Sequence, residues 1–181
     1  MIIARSALSM RSIVLAGAIA LLAGCATPTT YEGMVPTAFD IAKRHARSVS
    51  LAVSGGRETD AMDKPQITDA AFTQALAEAI AKSQTFSRVV QGAGGDYLLT
   101  VAMTGMEQPS FGFSFTVKME AGWTLRRAST GAVVWQQAIF SEHTATTSDA
   151  FAAVTRLRLA TEGAARNNIA QGLTRISRLD L

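Results

Sequence analysis

The sequence predicts an α+β domain in which an antiparallel sheet of four to five strands carries two helices on one face. Two segments, 68–82 and 154–177, have the apolar spacing of amphipathic helices, and a long segment between them alternates strictly between apolar and polar residues. Helices with one apolar side and a sheet with one apolar face bury those surfaces most simply against each other. We therefore expect a two-layer sandwich.

The first helix has a recognisable start. Thr68 is suited to cap its N-terminus, and Ile67 and Phe72 have the spacing of a hydrophobic staple. Its apolar side continues at four-residue steps through Leu76 and Ile80. This helix is expected to pack on a flat surface.

The clearest strand runs from Phe113 to Leu125. Every second residue is apolar or small, and these are Phe113, Phe115, Val117, Met119, Ala121, Trp123 and Leu125. Thirteen residues of alternation indicate an antiparallel strand with one solvated face. At ~3.4 Å per residue it would extend about 44 Å, beyond the usual strand length, so we expect a bulge near Gly122.

Shorter strands are predicted at 49–53, 89–90 and 97–103, with a return strand from Val133. The glycine-rich segment 92–95 lies between two of these strands. A phosphate-binding loop needs a helix directly after it, so this segment is interpreted as a hairpin turn.

The last helix has a long apolar stripe, formed by Val154, Leu157, Ala165, Ile169, Leu173 and Ile176. Gly172 lies on the same side and is expected to allow close packing on the sheet. Arg156, Asn167 and Thr174 lie opposite the stripe, where we expect solvent.

The N-terminus has the composition of a secretory leader. Arg5 and Arg11 precede an apolar run at 12–24, which is too short to span a bilayer as a helix of ~20 residues. The run ends in Leu22-Ala23-Gly24-Cys25, which resembles the lipobox of bacterial lipoproteins. That resemblance implies cleavage before Cys25 and lipid on its sulfur, so that the membrane is a partner. An ordinary secretory signal with an incidental cysteine is the alternative.

The leader defines the expected organisation of the chain. Residues 1–24 form the signal peptide, 25–47 the lipidated N-terminus and tether, and 48–181 the α+β domain. Cys25 is the sole cysteine, so it has no disulfide partner. By the same resemblance, Ala26 in place of Asp after that cysteine favours the outer membrane, facing the periplasm, over the inner membrane.

Removal of the leader changes the charge balance. Arg5 and Arg11 leave with it, so Lys and Arg fall from 17 to 15 against 14 Asp and Glu. A protein that binds nucleic acid needs a concentrated basic surface, and the mature net charge of +1 does not indicate one.

Catalytic and metal-binding patterns are weak in this sequence. His45 and His143 have no second ligand at metal-binding spacing. Ser141 and Asp149 lie near His143 in sequence, but a triad is defined by geometry, and no Gly-x-Ser-x-Gly elbow is present. We expect neither enzymatic activity nor a metal or other cofactor.

Two groups of residues are candidates for contact with a ligand or partner. Phe111 and Phe113 could line a lipid-binding groove or a partner surface, although the alternation favours Phe113 in the core with only Phe111 displaced. Arg126 and Arg127 could join Arg156 and Arg158 in a patch for anionic headgroups, although scattered surface charge is favoured.

The mature domain resembles a poorly characterised family of small outer-membrane lipoproteins of Gram-negative bacteria. The segments that carry the resemblance are 55–56, 96–99, 108–113, 156–160 and 162–166. The order of elements is also similar to the lipopolysaccharide-assembly lipoprotein and to auxiliary lipoproteins of ABC-type lipid transporters. These resemblances imply a non-enzymatic accessory subunit of an envelope complex. A carrier of a lipid or other apolar ligand, bound between sheet and helices, is the alternative.

Overall fold

A computed structural model of the protein describes residues 27–61 and 63–181, which form three helices and five strands. The leader and Cys25 lie outside the described residues. The elements in chain order are α1 (Tyr31–Met34), β1 (His45–Ser54), α2 (Asp69–Ser83), β2 (Phe86–Val90), β3 (Tyr97–Glu107), β4 (Phe115–Arg127), β5 (Val133–Ala145) and α3 (Ala153–Ile176).

The strands form one sheet in the order β2-β1-β3-β4-β5. On its inner face, α2 covers β1 and β2, α3 covers β4 and β5, and the short α1 contacts both helices. The predicted α+β sandwich with helices on one face is confirmed. The sheet is mixed, however, and not wholly antiparallel, because β1 runs parallel to both neighbours. The helix α2 returns the chain to the end of the sheet where β1 began, which makes β2 parallel to β1.

The segment 91–96 carries the chain from β2 to β3 across β1. Gly95 passes so close to that strand that a Cβ would lie 2.5 Å from the backbone nitrogen of Ser50. Asp96 then accepts hydrogen bonds from the backbone N–H and the hydroxyl of Ser48, at 2.8 and 2.7 Å. The prediction of a hairpin turn here was wrong, since the two strands it joins lie on opposite sides of β1.

The long strand β4 has the predicted core-facing residues from Phe115 onward. The side chains of Phe115, Val117, Met119, Ala121, Trp123 and Leu125 are buried. The bulge expected near Gly122 was wrong, because that residue pairs regularly with Ala102 and Ala138. The shifts in strand register lie instead between Met103 and Gly105 of β3, and in β5 opposite the end of β4. Strand length was therefore a poor guide to their position.

The helices bury the predicted faces. The side chain of Thr68 accepts a hydrogen bond from the N–H of Ala71 at 3.0 Å, which confirms it as the cap of α2. In α3, Gly172 lies directly over the indole of Trp123, where a Cβ would be 2.5 Å from Cη2. Arg156 was expected in solvent but is buried in α3, with 5% of its surface exposed.

Residues upstream of β1 also pack on the domain. Met34 and Val35 belong to the hydrophobic core, at 0% and 5% exposure. The N–H of Ala42 donates to the hydroxyl of Ser177 at the far end of α3, at 3.0 Å. The segment upstream of β1 thus runs along α3, from Glu162 to Ser177.

Candidate functional site

Two loops at one end of the sheet expose three phenylalanines, and we call them together the aromatic tip. The first loop, 108–114, joins β3 to β4, and the second, 146–152, joins β5 to α3. The side chains of Phe111, Phe113 and Phe151 are 88%, 87% and 96% exposed. A cluster of large apolar side chains in water marks an interaction surface more often than scattered exposure does.

The backbone explains why Phe111 and Phe113 leave the core. Gly112 between them has a φ of +144°, which side-chain-bearing residues rarely adopt, and a Cβ there would lie 3.0 Å from the carbonyl oxygen of Ser114. The strand begins only at Phe115. The expectation that Phe113 is a core residue was wrong. Alternation determines on which face of the sheet a side chain lies only within a strand, and Phe113 precedes β4.

Arg156 joins the two loops of the aromatic tip. Its Nη1 donates to the carbonyl oxygens of Ala150 and Phe151 at 3.0 and 2.6 Å, and its Nη2 donates to Gly112 at 3.5 Å. The guanidinium also lies over the ring of Phe115, 5.3 Å from the centroid. Arg156 thus fixes both loops through their backbones. Helical periodicity assigned it to the solvent side and gave no signal of this role.

The N-terminal segment leaves the domain beside the same loops. Thr29 donates its hydroxyl to the carbonyl of Gln66 at 2.7 Å, and the N–H of Thr30 donates to Glu162 at 2.9 Å. Gln108, the first residue of the β3–β4 loop, donates to the carbonyl of Pro65 at 2.7 Å. These bonds connect the start of the described chain to the base of the aromatic tip.

Glu162 is the central group of this attachment. It is 3% exposed, and its Oε1 accepts from Thr30 and from Arg158, the latter at 3.0 Å. Gly33 lies so close that a Cβ there would overlap the carboxylate, and Arg166 donates to the carbonyl of Gly33 at 3.1 Å. Arg158 thus pairs with Glu162 one helical turn on, whereas Arg166 bonds to the backbone of the N-terminal segment.

Arg126 and Arg127 lie at the opposite end of β4 from the aromatic tip. The thirteen residues of that strand separate the two groups by about 40 Å. Arg126 donates to the carbonyl of Gly131 at 3.3 Å, and Arg127 lies over the ring of Tyr97, 5.3 Å from its centroid. The arginines at the two ends therefore do not gather into one patch.

Ser141, His143 and Asp149 do not form a catalytic triad. Ser141 donates its hydroxyl to the carbonyl of Ala164 in α3 at 2.9 Å. Asp149 accepts from the N–H and hydroxyl of Thr146 at 2.7 and 2.9 Å, and these bonds lower its pKa. Both groups are thus occupied in holding local structure.

The two histidines occupy structural positions. His143 packs against Gly163, where a Cβ would overlap the imidazole Cδ2. Burial first, and then the positive charge of Arg166, lower the pKa of His143, while Asp149 raises it. His45 is buried at the other end of α3, with its Nε2 3.1 Å from the carbonyl oxygen of Ile176.

A shallow cavity of about 450 Å³ lies on the sheet near β4. Gly105, Glu120 and Phe140 line it side by side on β3, β4 and β5, and Phe140 is 66% exposed. Lys118 and Glu107 form an ion pair at its edge, at 3.6 Å. This slot combines an exposed aromatic ring with acidic groups on the face of the sheet that the helices leave open.

Within residues 27–61 and 63–181, no helix is both long and apolar enough to cross a membrane. The same residues contain no group of three or more His, Cys, Asp or Glu side chains placed to hold a metal ion.

Solved structures share the fold. A Xanthomonas campestris protein of the family DUF330 is similar with a TM-score of 0.62 and 13% identity, over 79% of this chain and 91% of that one. A hypothetical protein from Chlamydia trachomatis has a TM-score of 0.53 and 8% identity, over 72% of this chain and 98% of that one. A candidate lipoprotein from Caulobacter crescentus has a TM-score of 0.49 and 18% identity, over 71% of this chain and 87% of that one. No family model and no curated protein matches the sequence. At these identities the first two likenesses establish a common α+β fold.

Proposed function

We propose that this protein is a membrane-anchored lipoprotein of the periplasm that serves as a non-enzymatic accessory subunit of an envelope complex. The observation that carries the proposal is Cys25 in its lipobox context, four residues before Thr29, where the chain joins the folded domain. Two or three acyl chains hold a protein firmly on a bilayer. An anchor so close to the domain keeps it at the membrane surface. The outer membrane is the proposed location.

The packing of the two layers favours an accessory subunit over a carrier. A ligand held between sheet and helices would need space there, but α3 lies in direct contact with the sheet at two points. Gly163 has no room for a Cβ beside His143, and Gly172 has none beside Trp123. Binding through outer surfaces, such as the slot beside Phe140, fits this arrangement better.

The anchor is tested by metabolic labelling of the full chain with radioactive palmitate. Wild-type protein should be labelled and processed, whereas Cys25→Ser should take up no label and remain an uncleaved precursor. Ser129→Cys, at the exposed turn between β4 and β5, is the matched control and should be labelled and processed like wild type. Normal labelling of Cys25→Ser would disprove the lipoprotein assignment.

The accessory role is tested by purification from detergent-solubilised envelopes. One membrane complex should co-purify with the wild-type protein in stoichiometric amount, and Phe140→Asp in the open slot should reduce that recovery. Ser129→Asp is the control, because it adds the same charge at an exposed turn away from the slot. Recovery of a bound lipid by native mass spectrometry, without any protein partner, would favour the carrier instead.

A further inference from the structure

The aromatic tip and the first fixed residue of the described chain, Thr29, lie at the same end of the domain. Cys25 precedes Thr29 by four residues, and four residues of fully extended chain span at most about 14 Å, so an anchor at Cys25 holds Thr29 close to the bilayer. Thr29 donates to Gln66, and the neighbouring Pro65 accepts from Gln108 at the base of the tip. A lipid on Cys25 therefore places the bilayer surface next to the loops that carry the three phenylalanines.

The composition of the tip suits the boundary between headgroups and acyl chains. The loop 108–114 contains no charged residue, and the loop 146–152 contains only Asp149, which is bonded to Thr146. Exposed phenylalanine side chains partition into that boundary, and because neither loop carries a basic residue, their insertion does not depend on anionic lipid. The exposed carboxylate of Asp149 is the one charge of the two loops, and it has to stay at the level of the headgroups.

The tip is also held in shape before it meets a membrane. The buried guanidinium of Arg156 bonds to backbone carbonyls of both loops, so the rings of Phe113 and Phe151 project from a common base. Preorganised loops lose little conformational freedom on binding. Because the anchor already raises the local concentration of bilayer around the tip, even weak insertion is sufficient to orient the domain.

We infer that Phe111, Phe113 and Phe151 insert into the lipid bilayer that holds the anchor, and that they orient the domain with its sheet end toward the membrane. In this orientation β4 points away from the bilayer. Arg126 and Arg127 then lie about 40 Å from the membrane surface, where a partner in the periplasm can reach them. The inference rests on the proposed lipid anchor at Cys25.

The experiment uses single cysteines in the full, processed chain. Cys25 is the sole cysteine, so a lipidated protein has no free thiol and takes up a fluorescent NBD label only at an introduced cysteine. Phe113→Cys and Phe151→Cys place the label on the tip. Phe140→Cys, an exposed phenylalanine five residues before the end of β5, and Ser129→Cys, at the far turn, are the matched controls.

Labelled proteins are reconstituted into phosphatidylcholine vesicles that contain doxyl-labelled lipid, and in parallel into vesicles with phosphatidylglycerol. We expect the doxyl lipid to quench the tip labels at least about twofold more than either control label. The quenching should be the same in vesicles with and without phosphatidylglycerol. Phe111→Ser with Phe151→Ser, introduced beside Phe113→Cys, should reduce the quenching to the control level. Both serines replace exposed side chains, so the fold is retained.

The outcomes separate this inference from the proposed function. A wild-type chain that takes up label, or that fails to float with vesicles, would refute the lipid anchor itself. If the chain floats with the vesicles but doxyl lipid quenches the tip labels no more than the label at position 140, the membrane orientation is overturned. The proposal of the lipid anchor then remains intact. If the tip labels were shielded from solvent in whole cell envelopes but not in pure lipid vesicles, the tip would bind a protein partner. That result would equally overturn the inference.

Discussion

The indole N–H of Trp123 donates a hydrogen bond to Oδ1 of Asn168 at 2.9 Å, and both residues are fully buried. Asn168 in turn donates from Nδ2 to the carbonyl of Ile139 at 2.9 Å and to the hydroxyl of Ser141 at 3.1 Å. One amide thereby links α3 to both β4 and β5. Because every donor in this network has a partner, the network specifies the position of the helix on the sheet.

Asn168→Ala is expected to destabilise the domain through this network. It would leave the indole N–H of Trp123 buried without a partner, at a cost of about 1–3 kcal/mol. Urea unfolding of the purified protein measures the change. Asn167→Ala is the control, since Asn167 is half-buried and its bond to the carbonyl of Glu142 is exposed. Equal losses for the two variants would contradict a special role of Asn168.

Gly172→Ala tests how tightly the two layers pack. Alanine favours a helix over glycine by ~1 kcal/mol, but here its methyl group would overlap the indole of Trp123. We expect a net loss of about 1–3 kcal/mol in the free energy of unfolding. Gly105→Ala is the matched control, because its Cβ would meet Glu120 at an ordinary 3.7 Å. Stabilisation by Gly172→Ala would show that the layers can separate.

The sequence predicted the elements that local pattern determines. The cap at Thr68, the apolar side of α2 and the core-facing parity of β4 follow from neighbouring residues, and each is found in the structure. The parallel placement of β1 was missed. It depends on where the chain crosses after β2, and the deciding contacts, of Gly95 with Ser50 and of Asp96 with Ser48, join residues 45 to 48 positions apart.

The candidate site was predicted only in part. The phenylalanine-rich segment at 111–115 stood out by composition, so Phe111 and Phe113 were found as candidates. Phe151 and Arg156 were not connected with it, because loops distant in sequence meet only in the folded sheet. A buried arginine that bonds to backbone carbonyls has no sequence signature, and helical periodicity assigns such a residue to the solvent.

Arg156→Met should loosen the aromatic tip. The change keeps much of the side-chain volume but removes the bonds to Ala150, Phe151 and Gly112, so we expect a loss of about 1–3 kcal/mol in stability. Hydrogen exchange should increase mainly in 108–114 and 146–152. Arg178→Met is the control, since its ion pair with Asp40 is exposed and contributes little. Unchanged exchange in both loops would show that they hold their shape without Arg156.

Acidification should destabilise the domain through His143. Its folded pKa lies below the ordinary value of 6.5, first because of burial and then because of Arg166, so the unfolded chain binds a proton more readily. The stabilising contribution is complete above about pH 6.5 and is lost as the pH falls through the lower folded pKa. NMR titration of the imidazole measures the shift directly.

Arg166→Gln should raise the pKa of His143 and Asp149→Asn should lower it, so shifts of the same sign in both variants would contradict this electrostatic account. In urea unfolding between pH 5 and 8, His143→Gln should show a shallower loss of stability toward acid than wild type.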